Sequence, residues 1–464
     1  MKGKQSRFVT FTTLTLIAFA IIFGVYLGFK NRSKYTSEEW TLFIALMTSY
    51  CVTVGLMIMA KVRHALYLFE PFTIVGVLYI AIFVYRPIID LFNNEVATRG
   101  VNVLSGGFKT TIIFTVGFVA LYVGYYSKHL INADQTEEEI DVYEGKASNT
   151  DIALIGWIVS YVFCLISLVS QGLSLSYIFS LASSGEKVFD GNGSALLFLS
   201  NFAITMVAYW MIIVVRPGKK TLKLIITILS VVYVIMRNAR WLLLVGVLAP
   251  ITYYYVRRRK SPKGIYIIIV GVLTLSVFAW MQVNRASLIA GRQMVGWGEG
   301  GFTIEKLLSP FDSDLTTYKV IYGMVREYPS HSSYLLGRSF LYVFYMFIPR
   351  VLWPSKPGNP LNEIVENSLN FQARTAGATF ANIGEFYANF GFLGVIILMF
   401  IFGRLIASLK KYYLQPTQER LIIYSIMYPL LFQWVARGNF SGNFYLTIFA
   451  ILPFVLERIT IRST

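Results

Sequence analysis

Charge is scarce in this chain. Asp, Glu, Lys and Arg make up 14% of its 464 residues, against about a quarter in a typical soluble domain. So few charges cannot cover a water-facing exterior, which excludes an ordinary soluble globular protein and leaves lipid as the surroundings. Cysteine is scarcer still. Cys51 and Cys164 both lie inside apolar runs, so a disulfide framework is excluded by count and neither has a metal-ligand spacing. Acids are outnumbered, 24 against 41 Lys plus Arg, for a formal charge of +17. In a membrane protein this excess reads first as cationic inner loops and attraction to anionic lipid, with part of it reserved for an anionic substrate. Nucleic acid is not an expected partner.

What is present is apolar sequence, 56% of the residues, divided into runs of roughly bilayer-spanning length. They fall near 8–29, 40–60, 66–85, 109–127, 151–170, 195–215, 221–236, 241–256, 264–283, 391–409, 421–436 and 443–458. The expected fold is an all-α polytopic integral membrane protein of about twelve transmembrane helices. The first run follows Lys2, Lys4 and Arg7. It is too long for a signal-peptide core and has no convincing small-x-small cleavage site, so it reads as a retained anchor. Lys61 and Arg63, the 128–150 segment, Arg216 to Lys220, Arg257 to Lys260, and Lys410, Lys411 and Arg420 fall in alternate loops. That bias predicts cytoplasmic termini. The other loops face outward, and one is large. The expected organisation is therefore a membrane domain 1–283, an extracytoplasmic loop 284–390 and a second membrane domain 391–464. A long insert between tight loops is the expected active-site region. Within it, Leu341 to Ile348 is apolar but short and bracketed by Arg338, Pro349 and Arg350. It reads as an amphipathic interfacial or re-entrant segment.

Several residues in these outer segments could carry chemistry. Arg237-Asn-Ala-Arg240 joins two runs of roughly 16 residues, each reaching only about 24 Å as a helix. Such a turn sits low at the outer lipid boundary, where an arginine snorkels to headgroups or pairs with an anion. Arg240 is the stronger candidate. Arg285 and Arg292 follow the ninth run, and Gly296 to Gly301 reads as a hinge. Asp312-Ser-Asp314 has the look of a divalent-metal pair. A helix start at Leu315 instead makes one of them an N-cap, so no metal is expected. His331, among three histidines, is the one on an outer loop; a surface role and a base role both fit. In Ile348-Pro-Arg-Val-Leu-Trp-Pro-Ser-Lys-Pro357, the prolines enforce extended backbone while Arg350 and Lys356 bring two cations to one region. Glu385, in Gly384-Glu-Phe-Tyr-Ala-Asn-Phe-Gly391 at the mouth of a span, is an acid near the bilayer surface, where ion pairing and catalysis are equally consistent.

The Ile-Pro-Arg-x-x-Trp-Pro-x-Lys-Pro string, followed by Gly-Glu-x-Tyr-x-Asn-Phe-Gly entering a helix, resembles bacterial oligosaccharide repeat-unit polymerases, the Wzy-type O-antigen and capsule polymerases. The likeness covers the hydropathy of the whole chain. Its specific motifs occupy about residues 337–391 and the arginine turn near Arg240. The resemblance implies a multi-pass enzyme of the bacterial cytoplasmic membrane with no cofactor. It would join oligosaccharide units carried on undecaprenyl diphosphate, alongside a flippase and a chain-length regulator. It also implies that Arg240, Arg285 and Arg350, with Arg292 and Lys356 nearby, bind diphosphate. Glu385 is then the active-site acid and first choice as base, His331 the second. A ligase shares this chemistry. A flippase or other transporter usually places polar sites at the midplane and shows repeats, neither of which is evident here.

Overall fold

The structure, a computed structural model, describes residues 35–64, 66–98, 101–127, 150–169, 193–236, 240–283, 315–348, 351–369, 379–414 and 417–463. Nearly all of these are helical. In chain order the helices are α1 (Ser37–His64), α2 (Pro71–Phe92), α3 (Gly107–Tyr126), α4 (Thr150–Val169), α5 (Gly193–Val215), α6 (Lys220–Met236), α7 (Arg240–Arg257), α8 (Gly264–Val283), α9 (Thr317–Glu327), α10 (Arg338–Tyr345), α11 (Pro360–Leu369), α12 (Asn382–Leu414), α13 (Gln418–Ala436) and α14 (Phe440–Ser463). A two-residue antiparallel ladder pairs Ala97–Thr98 with Val101–Asn102.

Each apolar run from 40–60 onward lies on one of these helices; the 8–29 run is outside the described residues. The physical reason is that a backbone in hydrocarbon must satisfy its own hydrogen bonds, which a helix does within one segment. Among the described residues, five helices are long and apolar enough to cross a bilayer: Ser37–Arg63, Pro71–Phe92, Leu104–Tyr126, Asn382–Leu414 and Phe440–Ile459.

α2 contains a π-helical turn at Ala81–Tyr85, directly before Arg86 and Pro87. Proline has no N–H and its ring crowds the carbonyl four residues back, so the wider turn lets the helix continue through it. Arg86 and Asp90 consequently stay on one helical face, 2.8 Å apart, with Asp90 fully buried.

α3 and α12 pack tightly and run in the same direction. Gly117 faces Val395 and Ile383, while Gly124 faces the backbone of Phe400. A Cβ on Gly124 would stand 2.2 Å from the Phe400 carbonyl oxygen, and one on Gly403 would stand 2.4 Å from that of Leu121. Glycine here supplies closeness rather than flexibility, which is how membrane helices gain packing contact without a hydrophobic driving force. α13 is buried along almost its whole length. Its Leu421 to Leu430 part belongs to the core with α4–α7 and α14, and Leu431, Val435 and Ala436 belong to the core with α1–α3, α9 and α12.

Contacts sort the connecting segments onto two opposite ends. At one end Lys410 pairs with Glu70 at 2.7 Å, Tyr125 donates to the same Glu70 oxygen, and Tyr428 donates to the Leu68 carbonyl. Arg216 pairs with Glu457, and Arg458 with Glu419. At the other end Lys319 pairs with Asp90 at 2.8 Å and donates to the Glu95 carbonyl. Arg326 there reaches the Asn102 carbonyl, and Ser441 reaches that of Ser339. The first end collects the described lysine- and arginine-rich loops, and the second collects the described part of the 284–390 segment.

The α3–α12 contact gives a stability test. Gly124→Leu places a side chain into backbone and should cost at least about 1–3 kcal/mol, whereas Gly55→Ala, with open space around it, should be neutral. Thermal aggregation temperatures in detergent check this; equal values for the two variants would contradict the packing account.

Candidate functional site

Gly391 breaks α12 into two arms, with φ 64° and ψ −154°. This conformation is nearly exclusive to glycine, and an added Cβ would also press on the Tyr334 ring. The expected start of a span at 391 thus coincides with a real discontinuity, but helix already exists upstream of it. Along the upstream arm Asn382, Glu385 and Asn389 recur at helical spacing, and all three are buried.

Glu385 is the centre of this arm. One carboxylate oxygen accepts from the Ser339 hydroxyl at 2.7 Å, the other from the backbone N–H of Phe440 at 2.8 Å. Asn389 donates both to Ser339 Oγ at 2.7 Å and to the Glu385 carbonyl at 2.8 Å, and its own oxygen accepts from Gly337 N–H at 3.0 Å. Leu335 and Leu336 donate to the carbonyls of Ala388 and Asn389. Gly337, at φ 90°, turns the chain into α10. The carboxylate therefore joins the start of α10, the upstream arm of α12 and the first turn of α14. Its position at a helix N-terminus is electrostatically favourable for an anion. Asn382 in turn accepts from the Tyr79 hydroxyl at 2.6 Å, tying the arm to α2.

Lys356 stands at the opposite end of α10. Its ammonium is buried and donates to the Met346 and Ile348 carbonyls at 2.8 and 3.0 Å, closing a helix end whose carbonyls lack intrahelical partners. Glu385 and Lys356 are thus brought to one element, α10, at its two ends. His331 is placed elsewhere, on the turn after α9, with its side chain 72% exposed and Nδ1 3.4 Å from a Glu327 oxygen. Arg326 Nε holds the other Glu327 oxygen at 2.7 Å. Nearby, Tyr328 accepts at its hydroxyl from Asn367, and burial pushes its phenol up, keeping it neutral.

Arg240 opens α7 and is half-buried. Because α7 ends beside Phe69, where Tyr255 stacks on that ring, helix alternation puts Arg240 at the same end of the bundle as Glu385. Arg285, Arg292 and Arg350 lie outside the described residues, as do Arg237, Gly296 to Gly301, Asp312 and Asp314. Among the described residues no group of three His, Cys, Asp or Glu side chains is placed to hold a metal ion. Sequence reasoning passed over Ser339, Asn389 and Glu327. Asn389 was detectable as the residue one turn beyond Glu385; the other two reveal their roles only through tertiary contact.

A helical membrane protein with a buried polar network around Glu385 at one end is the class this architecture defines. The family model described as O-antigen polysaccharide polymerase Wzy matches residues 8–463, and the chain belongs to that family. No curated protein and no solved structure matches it.

Removing the Glu385 carboxyl strands a buried hydroxyl and a buried N–H, at about 1–3 kcal/mol for such a loss. Glu385→Ala should therefore lower the melting temperature in detergent. Glu385→Gln keeps an acceptor for Phe440 N–H but can only donate to Ser339 Oγ, which loses the acceptor of its own proton, so it should fall between the parent and Glu385→Ala. Equal destabilisation by both variants would contradict the network as described.

Proposed function

We propose that the protein lengthens a surface polysaccharide by joining oligosaccharide repeat units carried on undecaprenyl diphosphate, at the outer face of the bacterial cytoplasmic membrane. About a dozen helices would span the bilayer, with both termini cytoplasmic. The observation that carries this reading is the family match across nearly the whole chain. The gathering of the described residues of the 86–102, 315–390 and 437–442 segments at the lysine-poor end of the bundle agrees with it.

In this reading the growing glycan is the donor and one lipid-linked unit the acceptor. An acceptor hydroxyl oxygen attacks the anomeric carbon of the donor, the bond from that carbon to the diphosphate breaks, and undecaprenyl diphosphate departs with the electron pair. Arg240, Arg285 and Arg350 bind the diphosphate, since guanidinium forks match its oxygens and oppose the charge that grows on the leaving oxygen. Arg292 adds positive charge. Lys356 acts through its field, because its protons already serve two carbonyls. So good a leaving group needs no general acid and, with three cations on it, no metal. The hydroxyl proton passes to a side-chain base. Glu385, whose oxygens also accept from Ser339 and Phe440, is the first choice of base, and His331, with its ring in solvent and Glu327 behind it, the second.

Three measurements test the reading. Lysine keeps the charge but loses the planar fork, so Arg→Lys at positions 240, 285 and 350 should slow chain formation nearly as much as Arg→Ala. Losing a contact worth ~2–4 kcal/mol in the transition state slows turnover ~30- to 1000-fold. Near-normal glycan from all three lysine variants at matched expression would remove the diphosphate site. Sidedness is checked with single cysteines at Ser332 and Ser408: an impermeant reagent should label the first and spare the second, and the reverse would overturn the topology. In cells lacking the gene, single repeat units on the surface glycan indicate a polymerase. Long lipid-linked chains would instead indicate a ligase, and material trapped inside a flippase.

A further inference from the structure

α10 has two faces of opposite character. Ser339, Val343 and Met346 are buried, at the i, i+4, i+7 spacing of a packed helical stripe. Leu341 and Phe344 point the other way, Phe344 with 79% of its surface exposed. The segments on either side extend this apolar face: Leu336 before the helix and Val351 and Leu352 after it are each at least 75% exposed. Five large apolar side chains within seventeen residues of sequence form a patch that a water-facing surface rarely carries without a partner.

The buried face fixes α10 to the membrane-spanning bundle. Ser339 bonds to Glu385, and its carbonyl accepts from Ser441. The Val343 carbonyl accepts from the Tyr445 hydroxyl at 2.7 Å, and the Phe347 ring meets the Tyr445 ring edge-on at 4.1 Å. Lys356 closes the far end. Tyr445 lies five residues into a candidate span that begins at Phe440, so α10 crosses that span about 7–8 Å along its axis from its first residue. Phe340 packs against Phe440 and Phe390. The candidate spans expose Phe390, Phe392, Leu393 and Phe444 beside it, a surface that faces hydrocarbon. The patch on α10 continues that surface. Trp353, against the Tyr345 ring, stands at its border, as aromatic residues do where hydrocarbon gives way to headgroups.

We propose that α10 lies in the plane of the outer leaflet as a monotopic element, with Leu341 and Phe344 among the acyl chains of the bilayer. The occupant is bulk lipid, because Phe340 joins the patch to the exposed apolar surface of the candidate spans. This assignment rests on the outward orientation proposed above. Its consequence is that Glu385 and Lys356, at the two ends of α10, are held at headgroup depth, which is where the diphosphate of a lipid-linked substrate resides.

The experiment uses the full chain in phosphatidylcholine vesicles, with Cys51 and Cys164 replaced by Ala. Single cysteines at Leu341, Phe344 or, as a control on the same segment, Ser355 carry an environment-sensitive fluorophore. A spin label at carbon 5 of the acyl chain should quench the fluorophore at Leu341 and Phe344 several-fold more than at Ser355, and more than a label at carbon 16 does. Aqueous iodide should show the opposite order. If Phe344→Cys fails to fold, Leu341→Cys gives the same reading. Strong iodide quenching and weak spin-label quenching at both positions would overturn the proposal. So would iodide access that vanishes only when a polyprenyl-diphosphate sugar is added, since the occupant would then be the substrate's tail. Spin labels in both leaflets quench equally, so an error in sidedness shows in the Ser332 and Ser408 labelling and not here.

Discussion

A carboxylate placed where water is excluded must find its donors in the protein, and Glu385 finds three elements at once. Its oxygens take a hydroxyl from the turn into α10 and an N–H from the opening of α14, while its own backbone belongs to the short arm before Gly391. An unsatisfied buried charge would cost far more than any one of these contacts returns. The elements are therefore obliged to stay together, and the position of α10 over α14 follows. The left-handed turns at Gly337 and Gly391 are what allow the three backbones to converge on one side chain.

The same logic recurs at Asp90 and Glu70. Asp90 is fully buried between Arg86, Lys319 and the Tyr318 hydroxyl, and ties α2 to α9. Glu70 is buried between Lys410 and Tyr125 and ties the entry of α2 to the far ends of α3 and α12. Each acid sits near the end of a helix and is met by a cation or hydroxyl from a distant segment. These knots define the bundle's ends, and glycine contacts such as Gly124 with Phe400 define its middle. Lipid-facing surfaces are left with little specification beyond being apolar.

What could be read from the sequence follows from the range of the forces involved. The helices were legible because a run of about twenty apolar residues has few alternatives in a bilayer, and α1 to α8 and α12 to α14 lie on such runs. Glu385 stood out because an acid at the mouth of a span is costly. Its partners did not, since Ser339 is 46 residues away and Phe440 contributes only a backbone N–H 55 residues away. The positive charge of Lys356 was legible, but not that two carbonyls of a neighbouring helix end would take it up. A backbone N–H or C=O is identical at every position, so composition cannot announce which one a charge will meet. The helical nature of 382–390 was hidden for a related reason: polar Asn382, Glu385 and Asn389 read as loop until their partners are known.

The central claim is that this bundle lengthens a lipid-linked glycan at one end by displacing a polyprenyl diphosphate. Purified protein in vesicles, supplied with a polyprenyl-diphosphate-linked repeat unit, a metal chelator and no nucleotide sugar, tests it directly. The account predicts a ladder of chains of increasing repeat number, with one polyprenyl diphosphate released for each bond formed. Substrate that crosses the bilayer unchanged in length, with no diphosphate released, would contradict it.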